Sequence, residues 1–197
     1  LAHLHTHPHL PDQAPFIFYY YRDDWAFCCG ASVKESLAEE RYHVLIDSSL
    51  DDGELKVGEW LLPGEREECF VLCAHLDHPA QANDGLAGVV TGMAVMDVLT
   101  QWRRTYSYRL LITAETIGGA AWLSRHENLI PSIKGGLFLE MTGLRRPPAL
   151  QLSYNGDTQL DRCLRAVHLK SEDGAWVAPY RGLVGNDERQ FNAPGVR

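Results

Sequence analysis

The chain has no long apolar run, no concentrated basic segment and no paired cysteine spacing, and each absence removes a class of function. No stretch approaches the roughly 20 apolar residues that span a bilayer, and the first residues lack the charged-then-apolar layout of a secretory signal. No membrane partner is expected. Lys and Arg total 18 against 26 Asp and Glu, a formal charge of −8, and the basic runs stop at the pairs Arg103-Arg104 and Arg145-Arg146. A duplex binder needs a concentrated cationic footprint, so nucleic acid is not expected as a partner. The five cysteines, Cys28, Cys29, Cys69, Cys73 and Cys163, are odd in number with no CxxC spacing, which indicates neither a disulfide framework nor a thiolate zinc site. Cys69 and Cys73 fall in an apolar segment and read as buried small hydrophobes. A reducing, cytoplasmic setting is the expectation. Internal repeats and low-complexity tracts are also missing, and the chain opens on Leu1 rather than Met, which reads as a fragment or a trimmed chain.

What is present is ordinary globular material. Of 197 residues, 45% are hydrophobic and 22% charged, close to the average for a folded domain and enough for one domain with a small appendage. Residues 16–21 and 42–46 are strand-like, Asp51-Asp52-Gly53 is a turn signal, and residues 54–62 follow it as a further extended segment,. One short helix is expected over residues 33–41. Together these predict a small β-rich lobe over residues 1–64. From Glu67 the pattern alternates strand and helix, which predicts an α/β layered core with a mostly parallel sheet over residues 65–197. Leu86, Val89, Val90, Met93, Met96 and Leu99 recur at helical spacing behind Asn83 or Asp84 as cap, so a helix is expected from 84 to about 102,. Further helices are expected from 115 through 125 and from 158 to about 169.

Three strand-like segments end in a potential metal ligand or base. Phe70-Val71-Leu72-Cys73-Ala74 opens onto His75-Leu76-Asp77-His78, the segment 109–114 runs into Glu115, and 136–139 runs into Glu140. The carboxyl ends of strands in an open α/β sheet share one edge, where ligands collect. In the one-residue spacing of His75 and Asp77, regular strand geometry sends the two side chains apart; after a turn, Asp77 could accept the second imidazole N–H and fix its tautomer. Asp84 heads a helix, where a cap role is also favoured. Acidic residues ending apolar strands, as Glu115 and Glu140 do, are costly unless paired or metal-bound. His3, His5, His7 and His9 alternate, but Pro8 interrupts them, and they are expected to be structural.

The segment CAHLDHPAQANDGLAG, Cys73 to Gly88, resembles the metal-binding segment of zinc aminopeptidases related to aminopeptidase Y and glutamate carboxypeptidase. Ala114-Glu115-Thr116-Ile117-Gly118 and Leu139-Glu140-Met141-Thr142-Gly143 are similar to the family's later Glu-Glu-x-Gly and Leu-Asp-Met-x-Gly segments. A bacterial branch of aminopeptidase-like proteins with a small inserted β domain is closer still. Leu4-His5-Thr6-His7-Pro8, Trp25-Ala26-Phe27-Cys28, Ile46-Asp47-Ser48-Ser49-Leu50 and Gly185-Asn186-Asp187-Glu188-Arg189-Gln190 are similar to its pattern.

The resemblance implies a zinc-peptidase-like α/β/α core. It implies that His75 and Glu140 bind one zinc, that Asp84 bridges or completes the site, that Glu115 is the general base and that Asp77 is the partner of His75. His78 is an additional candidate ligand. Thr116 stands where the wider family has a second Glu, and its neutral hydroxyl is a poor zinc ligand, so one zinc ion or two remain open; the family's last ligand, a His, would lie beyond Arg197. The expected function is hydrolysis of a peptide or small amide by a metal-activated water. The Asp187-Glu188-Arg189 turn is expected to contact the substrate's free terminus. The rival readings are a zinc deacylase of an amidated sugar intermediate and a non-catalytic binding or regulatory protein on the same fold.

Overall fold

The structure is a computed structural model that describes residues 3–17, 19, 24–38, 41–49, 51–78, 81–145, 147–171 and 176–192. The chain divides into two compact units, Leu1–Asp52 and Gly53–Arg197.

In the first unit the described strands are two short ones, β1 (Leu4–His5) and β2 (Phe27–Cys28), paired in parallel. Helix α1 (Ala31–Ser36) starts earlier and stops sooner than the expected 33–41. Residues 42–46, expected as a strand, are irregular and exposed; of the expected strand 16–21, residues 16, 17 and 19 are irregular and the others lie outside the described residues. Aromatic and β-branched content alone does not make a strand, because β propensity is expressed only against a partner. The histidines are engaged locally: His3 stacks on Trp25 at 4.1 Å, His5 Nε2 lies 2.7 Å from the Tyr19 hydroxyl, and His7 Nδ1 accepts the N–H groups of His9 and Leu10.

The second unit holds the core. Strands β3 (Gly58–Leu62), β4 (Cys69–His75), β5 (Ser107–Thr113) and β6 (Ile133–Phe138) form one sheet in the order β3-β5-β4-β6. The pairs β4–β5 and β4–β6 are parallel and β3–β5 is antiparallel. The expected lobe boundary at residue 64 therefore moves back to 52/53, since Gly58–Leu62 hydrogen-bonds into the core sheet.

Six of the seven β4 residues are buried, as befits a strand covered on both faces. Leu72 and Ala74 pack with Val89 and Met96 of helix α2 (Ala87–Thr100), while the alternate residues Val71 and Cys73 pack with Trp122 and Leu123 of helix α3 (Ile117–Arg125). The core is thus an α/β/α sandwich. Helix α2 comes so close that a Cβ on Gly88 would lie 2.1 Å from the Leu139 carbonyl oxygen. Only part of its apolar periodicity faces the sheet, because Leu86, Val90 and Met93 are exposed. Beyond β6 lie β7 (Ala149–Gln151), α4 (Gln159–Ser171), β8 (Trp176–Ala178) parallel to β7, and the short α5 (Glu188–Phe191). No helix among the described residues is long and apolar enough to cross a membrane.

Candidate metal centre and active site

The parallel register of β4, β5 and β6 decides what meets what. His75 pairs with Thr113 in the ladder and Cys73 with Phe138, so His75, Glu115 and Glu140 leave adjacent strands at the same edge. His75 is fully buried at the last position of β4, its ring stacked on Phe138 with centroids 5.9 Å apart. Its Nδ1 lies 3.0 Å from Asp77 Oδ1, and the other Asp77 oxygen accepts the Glu115 N–H at 3.0 Å. Asp77 therefore ties the end of β4 to the end of β5 as well as orienting the imidazole.

On the opposite side of the ring, Nε2 lies 3.1 Å from Asp84 Oδ1 and 3.7 Å from Glu140 Oε1. His78 Nε2 lies 3.7 Å from the same Asp84 oxygen and 3.1 Å from Glu115 Oε2. The expected cap role of Asp84 does not occur. Residues Ala82–Leu86 form a π-type helical turn broken at Asp84 (φ −103°, ψ 87°), and the residue capping α2 is Leu86, without a side-chain cap bond. The break turns the Asp84 carboxylate toward the two imidazoles. Asn83 does not cap either; its Oδ1 accepts the Gly143 N–H at 2.9 Å.

His75 Nε2 and Asp84 Oδ1 are both buried, and neither has a hydrogen-bond partner among the described residues. Buried polar atoms are ordinarily satisfied, and leaving one unmade costs about 1–3 kcal/mol. Donors on a tetrahedral zinc at about 2.0–2.2 Å stand roughly 3.3 Å apart, close to the 3.1 and 3.7 Å seen around Nε2. One imidazole and two carboxylates are also the donor chemistry zinc takes. The set whose donor atoms all lie within 4.8 Å of one another, His75, His78 and Asp84, fits a zinc ion, and Glu140 stands beside Nε2 outside that set. The Glu140 carboxylate, with help from Asp77, pushes the His75 pKa up to about 9 against the opposing effect of burial. Two three-residue groups have donor atoms close enough to share a cation, His75-His78-Asp84 and Asp77-His78-Glu115.

Within the turn at 185–190, Asp187 departs from its expected role. Asp187 is fully buried, and its two oxygens accept the N–H groups of Thr116 at 3.1 Å and Gly119 at 3.2 Å. It holds the start of α3 instead of facing a substrate. Burial pushes its pKa up, opposed by those two backbone donors. Glu188 Oε2 accepts the Asn186 N–H at 2.7 Å, and Arg189 Nε donates to the Asn186 carbonyl at 3.1 Å, so both brace the turn itself. The residue that sequence reasoning passed over is Asn186, whose Nδ2 donates to Glu140 Oε2 at 2.6 Å. Its signal lay in the Gly-Asn-Asp-Glu motif, but nothing local told which residue it would reach. A hollow of about 490 Å³ opens between β6 and α4, lined by Phe70, Leu137, Leu160 and Glu188 among others. It contains none of the candidate ligands.

The α/β fold is shared with a solved protein described as a peptidase. Residues 8–197 match the family described as Domain of unknown function (DUF4910), and the chain belongs to that family. A relative from Clostridium acetobutylicum, provisionally named a polysaccharide biosynthesis protein with an aminopeptidase-like domain, is 36% identical over 194 residues, which is 98% of this chain and 44% of the relative. The crystal structure of a protein provisionally described as a peptidase, from the same organism, matches with a TM-score of 0.92 and 35% identity over 99% of this chain and 46% of that one. The chain thus spans less than half the length of these relatives. A glutaminyl cyclase from an Acidobacteriales bacterium shares the fold, with a TM-score of 0.57 and 20% identity over 72% of this chain and 56% of that one.

Proposed function

We propose that this domain is the catalytic part of a zinc-dependent hydrolase of peptide or small amide bonds, of aminopeptidase type. The observation that carries the reading is the buried pair His75 Nε2 and Asp84 Oδ1, 3.1 Å apart at the carboxyl edge of the parallel strands and without a hydrogen bond to any described residue. His75, Asp84 and Glu140 would hold the ion; His78 would supply a nitrogen donor for a second ion beside Asp84, where Thr116 offers only a hydroxyl. When bound, zinc supplies Lewis-acid polarisation of the scissile carbonyl and lowers the pKa of water toward about 7.

The chain's own residues do the proton work. Glu115 takes the proton from the water that attacks the amide carbon and returns it to the leaving amine as the C–N bond breaks. Asp77 keeps the His75 tautomer fixed through Nδ1 and holds the Glu115 backbone through its other oxygen,. The acidic rim suits a protonated amino terminus by electrostatics alone. The first relative's name, with its reference to polysaccharide biosynthesis, favours an acylated amino sugar as the second substrate class to try.

The test is Glu115→Gln in the full-length protein, with zinc content and hydrolysis of amino-acid p-nitroanilides measured together. Retained zinc with turnover lowered roughly 10²- to 10⁴-fold supports the base role. Loss of zinc instead makes Glu115 a ligand, and unchanged zinc with unchanged turnover rejects both.

A further inference from the structure

Thr116 has φ 60° and ψ −48°. For a β-branched residue such a backbone costs of order 1–3 kcal/mol and persists only where its surroundings over-determine it. Those surroundings come from one turn. Asp187 holds the Thr116 and Gly119 N–H groups, and Gln190 Nε2 donates to the Thr116 carbonyl at 3.3 Å. The fit leaves no slack, because a Cβ on Gly119 would lie 2.3 Å from Asp187 Oδ1. One residue before Asp187, the buried Asn186 donates to Glu140 Oε2, leaving Oε1 as the oxygen that faces His75.

We propose that Asn186 and Asp187 are positioning residues, two arms of one turn that set the two halves of the site. Asn186 fixes which Glu140 oxygen is offered to a cation. Asp187 fixes the backbone of Thr116, and through it the neighbouring Glu115. The residue types suit the tasks. A neutral amide orients Glu140 without adding a positive charge that would compete with a metal ion, as Lys or Arg would. An anionic carboxylate can accept two N–H groups at the start of α3, whereas an amide in its place would turn an N–H toward one of them. The arms are adjacent in sequence yet act on residues from two different strand ends. The consequence for turnover rests on the hydrolase reading; the consequence for metal binding does not.

The experiment compares Asn186→Leu and Asp187→Asn with the wild type in the full-length protein, after chelator stripping. Zinc alone is titrated by calorimetry, and kcat and KM are measured with leucine p-nitroanilide. Asn186→Leu is expected to raise the zinc Kd roughly 10- to 100-fold, the usual effect of losing a partner that orients a ligand. Asp187→Asn is expected to lower kcat by roughly the same factor, with KM and zinc Kd within about threefold. A merely structural role would lower the melting temperature while leaving Kd, kcat and KM of the folded protein unchanged, and that result overturns the proposal. If Asn186→Leu does not fold, Asn186→Ala is read in its place; if Asp187→Asn does not, Gln190→Ala cuts the remaining strap on Thr116 and must lower kcat. A wild type that binds zinc but cleaves neither this nor other amides removes the hydrolase reading alone. The Asp187 arm is then judged by amide hydrogen exchange: acceleration confined to Thr116 and Gly119 supports it, and none there overturns it.

Discussion

Asp161 and Asp84 both stand near the start of a helix with an oxygen out of solvent, and they are wired in opposite ways. Asp161 is saturated. Its Oδ1 accepts the Ser153 N–H at 2.8 Å, and its Oδ2 accepts the Ser153 hydroxyl, the Thr158 N–H and the Thr158 hydroxyl at 2.6, 2.8 and 2.6 Å. Thr158 Oγ1 in turn accepts the Asp161 N–H at 3.1 Å, completing a reciprocal capping box at the head of α4. Among the described residues Asp84 Oδ1 has no hydrogen bond, and it lies between two imidazole nitrogens. A carboxylate whose task is structural is surrounded by donors; one left open beside two histidines has the donor arrangement that the proposed zinc site requires.

The largest expected effect follows from that opening. Zinc at about 100 times its Kd should stabilise the wild type by about 2.7 kcal/mol, and magnesium at the same concentration should do much less, since it prefers octahedral oxygen ligands. Thermal unfolding with and without metal measures it. The shift should vanish in His75→Ala and survive in Asp161→Asn. Equal zinc shifts in the two variants would place the metal elsewhere.

Next comes the packing beneath the open cluster. A Cβ on Gly85 would lie 2.2 Å from the His75 carbonyl oxygen and 2.9 Å from its Nδ1. Overpacking of this kind typically costs 1–3 kcal/mol, and here the backbone that must move carries the first candidate ligand. Gly85→Ala should therefore lose stability in denaturant titration and also bind zinc more weakly. A loss of stability with unchanged zinc affinity would show that the close approach serves packing alone.

These contacts also mark what was legible in the sequence. The apolar runs ending in His75, Glu115 and Glu140 were readable because a parallel strand buried on both faces is a continuous hydrophobic segment, and β4 is buried at six of its seven positions. Helix α2 showed in its spacing, although Leu86, Val90 and Met93 turned out exposed. Residues 58–62 were misassigned because the local pattern says extended but not to which sheet, and their partner β5 lies about fifty residues later. The bonds from Asn186 to Glu140 and from Thr116 to Asp187 span 46 and 71 residues. Periodicity is blind at that range. The motif around Asp187 signalled a role, and the charge of its residues suggested a substrate contact; only burial shows that Asp187 is occupied by the backbone.

A smaller effect is expected at the saturated carboxylate, and it carries a pH signature. Burial pushes the Asp161 pKa up, but the hydrogen bonds from Ser153 and Thr158 outweigh it and hold the group below the ordinary carboxylate range. A folded-state pKa below the unfolded value of about 3.9 means that the unfolded chain takes up the proton first. The contribution is therefore fully present above the unfolded pKa and is lost as pH falls through the folded one. Asp161→Asn should cost roughly 1–2 kcal/mol at neutral pH, the scale of a lost cap with charged acceptors. The difference from wild type should shrink as the pH drops below about 4. A cost that is constant down to pH 2 would mean that charge is not what Ser153 and Thr158 recognise.

The smallest effect is the sharpest test of the contrast. In the metal-free protein, Asp84→Asn removes an oxygen that no hydrogen bond satisfies, so the substitution sacrifices no native contact of the kind Asp161 makes. Its stability without zinc should stay within about 0.5 kcal/mol of wild type, the range of substitutions that disturb no packed or paired group. The ion pair with His75 does not alter that expectation, because Glu140 and Asp77 still face the ring from other directions. With zinc, the same variant should lose most of the metal-induced shift, since an amide oxygen is a much weaker zinc donor than a carboxylate. Parallel unfolding curves for Asp84→Asn and Asp161→Asn, each with and without zinc, measure all four quantities. If Asp84→Asn is as destabilising without metal as Asp161→Asn, then Asp84 is a structural carboxylate after all and the distinction between the two fails.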